Sequence, residues 1–236
     1  MPDILIKCDS VDIIKGFSAI EKVDGFIYAP KDYTDFDGIE KVFSSAEKPI
    51  FLHTPLIARN KDLTVLERLS KLPCIKSIVA ENLYAVGLFE DKNILCGYGM
   101  NLINSVVDLP KIAQLESDGF KESDCVTAYC TPTLMTFAHC PYKNLRGSCQ
   151  PNCRGFEGTL TDERGNTFGL SHYKLGYCYA QLRNGYPLYL ADELKAVGHK
   201  RYMYDFCGLS FAKAQSIFSG DIPVKHTHFN YNKKLK

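Results

Sequence analysis

The sequence has almost no excess of either charge: 28 basic and 27 acidic residues leave a formal net charge of +1 over 236 residues. That balance provides no general field for nucleic acid or an anionic membrane, and leaves only local basic patches for such contacts. No apolar run approaches the ~18 residues that a membrane-spanning helix requires. The opening residues, MPDILIKCDSVD, meet acids at Asp3 and Asp9, so they lack the basic-then-apolar order of a secretory leader. A cytoplasmic protein without a membrane span is therefore expected. Two hydrolase signatures are also missing, the G-x-S-x-G turn of a serine nucleophile and the H-E-x-x-H of a zinc peptidase.

What is present is ordinary globular material, 45% apolar and 23% charged, in a chain long enough for one large α/β domain. Ten cysteines in a reducing compartment do not read as a disulfide framework. They read instead as buried small hydrophobes or as metal ligands.

Short apolar runs recur at Ile4–Lys7, Phe26–Ala29, Ile50–His53, Ser77–Ala80, Ile94–Gly97, Cys125–Tyr129 and Arg201–Phe206. Such lengths suit strands buried on both faces. Amphipathic stretches lie between them. Val11–Ala19 follows a candidate cap at Ser10, and Asp62–Lys71 places Leu63, Leu66 and Leu69 on one side. The alternation predicts βαβ units, a parallel sheet and a TIM-barrel-like (β/α) fold of one domain over residues 1–236. It finds seven strands where a barrel has eight, with none between Val106 and Ser123, so the barrel is expected to lack one unit. From about residue 139 to 184 the period is lost and Gly and Cys become dense, as in an insertion organised by a metal rather than a core. Within it, TLTDERGNTFGL predicts a hairpin turning at Glu163–Asn166.

Four of these cysteines form the series Cys140-x8-Cys149-x3-Cys153-x24-Cys178. Four thiolates close a tetrahedral zinc site or hold a [4Fe–4S] cluster. The C-x3-C pair is looser than the C-x2-C knuckle common in structural zinc sites, but spacing alone leaves cluster, zinc and unrelated thiols as alternatives. Cys130, in a Thr/Pro-rich turn nearby, is a further candidate ligand. The remaining five, Cys8, Cys74, Cys96, Cys125 and Cys207, read as buried structural thiols.

Other candidates sit where apolar runs end, the place at which barrel active sites gather. His53 and Arg59 flank TPLIARN; they read as an anion or carboxylate site, or as a surface loop with Asn60 as a helix cap. Asn101 and Asn104 follow GYGM and suit either a planar substrate or the cap of the next helix.

Several of these segments together resemble the collagenase-like peptidase family, number thirty-two among the peptidases of unknown mechanism. The matching pieces are LM followed by HCP at Leu134–Pro141, the C-x3-C, D-x-x-G with Phe at Asp162–Phe168, Cys178, N-G-x-P-L at Asn184–Leu188, and Tyr204-Asp205-Phe206. Upstream, HTPLIARNKDL and GYGMNLINS are also similar, so the resemblance covers about two-thirds of the chain. It implies a barrel-like fold with a [4Fe–4S] cluster on Cys140, Cys149, Cys153 and Cys178. It also implies hydroxylation of RNA or of a small aromatic substrate, with a protein partner in a heterodimer. Peptide cleavage, and a zinc-binding non-catalytic partner subunit, are the alternatives. The end, VKHTHFNYNKKLK, departs from the family's T-x-G-H segment by lacking its glycine.

Overall fold

Strands buried on both faces must each be followed by a segment that covers one of those faces, and a helix is the usual solution. The computed structural model describes residues 4–103, 112–113, 125–149, 157–223 and 225–228. Its first half alternates β1 (Ile4–Cys8), α1 (Val11–Ser18), β2 (Gly25–Tyr28), α2 (Phe36–Ser45), β3 (Ile50–His53), α3 (Asn60–Ser70), β4 (Ser77–Ala80), α4 (Leu83–Leu88) and β5 (Asn93–Cys96). A 3-10 helix at Tyr98–Ile103 precedes β6 (Ile112–Ala113) and β7 (Cys125–Cys130). An inserted unit follows, with β8 (Thr133–Phe137), α5 (Pro141–Arg146), β9 (Gly158–Thr161), β10 (Thr167–Lys174) and β11 (Cys178–Arg183). The chain then returns through β12 (Leu188–Tyr189), α6 (Ala191–Ala196), β13 (Tyr202–Asp205) and α7 (Phe211–Phe218).

Eight strands, β1 to β7 and β13, form one parallel sheet. Its order is β6-β7-β13-β1-β2-β3-β4-β5, so the two edge strands, β5 and β6, are consecutive in the chain. Among the described residues no ladder joins those two edges, and what the pairings establish is a mixed α/β fold on a parallel sheet. The strand absent from the sequence alternation is β6, which pairs Ile112 with Cys125 and Ala113 with Val126. Two residues are too few to carry a readable period, so only the pairing reveals the unit expected to be missing. The short β12 runs antiparallel to the end of β7.

Period two divides each strand between two cores. Ile6, Phe26, Val126 and Tyr204 face the layer formed with α1, α6 and α7, while Leu52, Ile78 and Ala80 face α2, α3 and α4. The alternate residues form a separate cluster on the other face. Leu5, Ile27, Val79, Leu95, Ile112, Cys125 and Met203 pack together with Phe51 against them, one residue from each of the eight parallel strands. Local signals set the helices as expected: Ser10 Oγ accepts the Asp12 N–H at 3.2 Å to start α1. In α3, however, Asn60 is the first helical residue rather than the cap, and the Arg59 N–H preceding it is accepted by Asp62 Oδ2 at 2.7 Å.

The inserted unit is a four-stranded antiparallel sheet in the order β8-β11-β10-β9. It begins at Thr133, earlier than the cysteine-rich stretch suggests, because β8 pairs with β11. The hairpin turn lies where the sequence places it. Asp162 Oδ1 accepts the N–H groups of Arg164 and Asn166 at 2.9 and 2.8 Å, which closes the turn between β9 and β10. Among the described residues no helix is long and apolar enough to cross a membrane.

Phe17 joins α1, α7 and β13: its ring stacks on Phe206 at 5.6 Å and meets Phe211 and Phe218 edge-on. It is fully buried. Phe17→Ala is expected to destabilise the fold by about 3–5 kcal/mol, read by urea denaturation. A loss below about 1 kcal/mol, the size of a surface change, would show that this aromatic junction does not hold α1 and α7 to the sheet.

Candidate functional site

One pleat period beyond the apolar cluster, the same strand face turns polar. Leu5 is followed two residues on by Lys7, Phe51 by His53, Val79 by Glu81, Cys125 by Thr127 and Met203 by Asp205. All five polar residues line a cavity of about 570 Å³ at the C-terminal ends of the parallel strands. This is the end at which α/β enzymes collect their reactive groups.

The charges are paired by register. Lys7 and Asp205 are direct partners on β1 and β13, and Lys7 Nζ lies 3.2 Å from Asp205 Oδ2. His53 Nε2 lies 3.1 Å from Glu81 Oε1. Glu81 Oε2 accepts the Gly99 N–H at 2.9 Å. Gly97 makes room for that carboxylate, since a Cβ there would overlap it. Burial opposes the Lys7 charge, yet Asp205 and the other nearby anions outweigh it and hold the ammonium above its usual range. Burial likewise opposes ionisation of Asp205, but Lys7, Arg183 and the Cys207 N–H keep it an anion. For His53, burial and then the Lys7 charge push the pKa down, beyond what Glu81 restores. Glu81 is held below the usual carboxylate range against burial, through the His53 hydrogen bond and the Lys7 charge. A neutral His53 facing an acceptor-only carboxylate carries its proton on Nε2 and donates it to Glu81, which leaves Nδ1 as the basic nitrogen. The arrangement offers one neutral base and a fixed cation for negative charge on a bound molecule.

The inserted sheet covers this opening. Arg183 on β11 donates from Nη1 to the Cys207 carbonyl at 2.9 Å. Among the described residues, Arg183 Nε and Ser171 Oγ are the buried side-chain polar atoms without a hydrogen-bond partner, and both residues line the cavity. Lys31 bridges the two units, lying 3.5 Å from Asp9 and paired with Glu157.

The sequence-predicted residues divide between this cavity and other places. His53 is in it. Arg59 does not line it; its Nε donates to the Tyr179 hydroxyl at 2.9 Å and its guanidinium lies over the Tyr177 ring. The carboxylate that Arg59 faces is Asp62 of α3, 3.9 Å from its Nε, and not a group in the cavity, because α3 begins beside the β10–β11 turn. Asn101 belongs to the 3-10 helix Tyr98–Ile103, whose Tyr98 lines the cavity, and Asn104 lies outside the described residues. Lys7, Glu81, Asp205 and Arg183 were not predicted. The signal for the first three is a charged residue ending an apolar strand run, as in ILIK, SIVAE and YMYD.

The cysteines separate similarly. Cys8, Cys96, Cys125 and Cys207 are buried in the main fold, as expected of structural thiols, and Cys74 is half-buried. Cys130, also half-buried, lines the cavity at the end of β7. Cys140 lies three residues beyond the end of β8 at the N-cap of α5, and Cys178 opens β11. The antiparallel register that pairs Phe137 with Ala180 carries these two toward the same end of the small sheet. Cys149 lies beyond α5 and is exposed, as is Cys178, so neither has a core-packing role; Cys153 lies outside the described residues. Among the described residues no three His, Cys, Asp or Glu side chains are grouped to hold a metal.

Because burial and Lys7 favour neutral His53, its ring should titrate below the ordinary value of about 6.5. Its contribution to stability is then present above that value and lost as pH falls toward the native midpoint. Glu81→Gln removes the anion that opposes this shift, so the His53 midpoint followed by NMR should move lower still. An upward movement would contradict the charge balance described.

No family model, curated protein or solved structure matches the chain.

Proposed function

We propose that this chain is an iron–sulfur protein of the collagenase-like peptidase type, acting in hydroxylation of a small aromatic substrate or of a base presented by RNA. The observation that carries an enzymatic reading is the cavity itself: a largely buried Lys7–Asp205 ion pair at the C-terminal ends of parallel strands, beside a neutral His53 hydrogen-bonded to Glu81. Perturbed titrating groups gathered in one cleft are characteristic of reactive centres. A volume of about 570 Å³ is in the range of small-molecule sites and suits one aromatic ring system with polar substituents. In this reading the sheet closes as a TIM-barrel-like fold. Its edges, β5 and β6, are consecutive, and Leu95 and Ile112 from those edges already share one cluster.

Cys140, Cys149, Cys153 and Cys178 would hold a [4Fe–4S] cluster, which supplies electron transfer when bound. What supports this donor set is the ordered series together with the register that runs Cys140 and Cys178 toward one end of the small sheet; among the described residues no three donors are gathered. Cys178 and Arg183 occupy opposite ends of β11, so the ligand end and the substrate end of the insert are distinct. At the substrate end, Lys7 and Arg183 would hold an anionic substituent and His53 would take a proton. The resemblance also implies a protein partner; of the exposed apolar residues on the insert, Leu134 and Met135 line the cavity and Leu160 lies outside it.

Peptide cleavage by a cysteine draws less support, because a nucleophilic thiol needs its pKa lowered. Burial pushes Cys130 up to about 12, and burial with Asp205 pushes Cys207 far above its usual range. Anaerobic purification should yield a brown protein with about four irons and four sulfides per chain. Cys149→Ser should lower both. One zinc with no sulfide would replace the cluster with the zinc-binding partner-subunit reading, and a metal-free protein with full activity would end both.

A further inference from the structure

A single carboxylate holds the β10–β11 turn to the start of α3. Asp62 is fully buried. Its Oδ1 accepts the Tyr177 N–H at 2.8 Å, while Oδ2 accepts the Arg59 N–H at 2.7 Å and the Tyr179 hydroxyl. Arg59 closes the arrangement, donating to the Tyr179 hydroxyl at 2.9 Å and stacking 3.8 Å from the centre of the Tyr177 ring. The turn approaches α3 so closely that only glycine fits at Gly176, where a Cβ would come within 2.5 Å of the Lys61 carbonyl and 2.8 Å of the Asp62 nitrogen. Tyr173 stacks on Tyr179 with ring centres 5.0 Å apart, which fixes the ring from the other side.

Burying a carboxylate is costly unless its lone pairs are used, and here they serve the turn and the residue before the helix. The residues so held are Tyr177 and Tyr179, the neighbours of Cys178 on each side. One contributes its backbone N–H and the other its side chain, so the backbone of Cys178 is fixed at both flanks. A ligand fixed before metal arrives binds more tightly than one that must be ordered on binding.

Resting on the iron–sulfur reading above, we propose that Asp62 is a positioning residue for the Cys178 ligand, with Arg59 as its support. Asp62→Asn turns an amide group toward one set of these donors and leaves them without an acceptor. The flanks of Cys178 loosen while the thiol itself is retained.

The test compares wild type, Asp62→Asn, Tyr179→Phe and Leu66→Ala after anaerobic reconstitution. Each is titrated with an iron chelator and followed by iron and sulfide content and by visible absorption. Leu66 is fully buried on α3 in the core beneath, and serves as the control for general destabilisation. Asp62→Asn is expected to hold metal about 10–100-fold more weakly than wild type. Tyr179→Phe, which keeps the stacked ring and loses only the hydroxyl, should move the same way by less. Leu66→Ala should lower the unfolding temperature while retaining wild-type resistance to the chelator. Wild-type metal retention in Asp62→Asn, or equal loss in Leu66→Ala, overturns the proposal. The wild-type arm judges the underlying reading separately. Zinc without sulfide there, released faster by Asp62→Asn, removes the cluster and leaves the positioning role standing; no metal at all removes both.

Discussion

Lys7 and Asp205 are register partners on adjacent parallel strands, and their ion pair at 3.2 Å sets the electrostatics of the whole centre. An ammonium buried at the end of an apolar strand requires a carboxylate, and the parallel ladder brings one alongside without any loop having to reach for it. Once held, the Lys7 charge acts on its neighbours. It helps keep Glu81 ionised and His53 neutral. Asp205 in turn has a second cation to balance it in Arg183, which comes from the inserted sheet. Two apolar residues at the Lys7 and Asp205 positions would continue the strand cores at no desolvation cost, so the pair is poor evidence of a stabilising device. Its place in a cavity with a neutral histidine fits a chemical role better.

The insert shelters these charges by covering them. Without β8 to β11 the strand ends would open to water, where charges interact weakly and a histidine titrates near its ordinary value. The cover is attached on two sides. Lys31 links Asp9 to Glu157 on one flank, and Asp62 with Arg59 grips the β10–β11 turn on the other. Lys174 adds a third tie, reaching Asp32 at 3.0 Å and Thr34 at 2.9 Å. These ties are polar, so the two units meet through directional bonds that fix orientation. Tyr173, Leu175 and Tyr179 contribute the apolar part by joining the core of α2, α3 and α4.

Much of this architecture is legible from residue pattern. Seven of the parallel strands stand out as apolar runs of strand length, because burial on both faces removes the polar interruptions that would blur them. Ser10 and the Asp162 turn are readable for a local reason: each side chain bonds backbone within a few residues. What escapes the sequence depends on distant partners. Ile112–Ala113 is a strand only because Cys125 and Val126 lie alongside. Lys7, Glu81 and Asp205 look like the ends of runs until the sheet aligns them. Arg59 shows the reverse case, since its proximity to His53 along the chain suggests a shared site while the helix start turns it toward Tyr177 and Asp62. The cavity was therefore visible in the sequence only through His53.

The cavity and the β10–β11 turn are not independent parts of the molecule, because the segment from His53 to Asp62 belongs to both. His53 opens it at the Glu81 pair; Pro55, Leu56 and Ile57 continue along the cavity wall; Arg59 and Asp62 end it at the turn that carries Cys178. The Tyr33 hydroxyl donates to the His53 carbonyl at 2.9 Å, and the Tyr84 hydroxyl donates to the Pro55 carbonyl. Pinned backbone explains how Leu56 and Ile57 stay exposed beside the cavity instead of collapsing onto a core. A loop fixed by hydrogen bonds at its root and by a buried carboxylate at its end has little freedom to move one end alone. Displacement of the wall at Leu56 must be absorbed by the few residues before Arg59 or passed to the turn at Tyr177. The geometry of the cavity and that of the cysteine end are thus set by the same short stretch of chain.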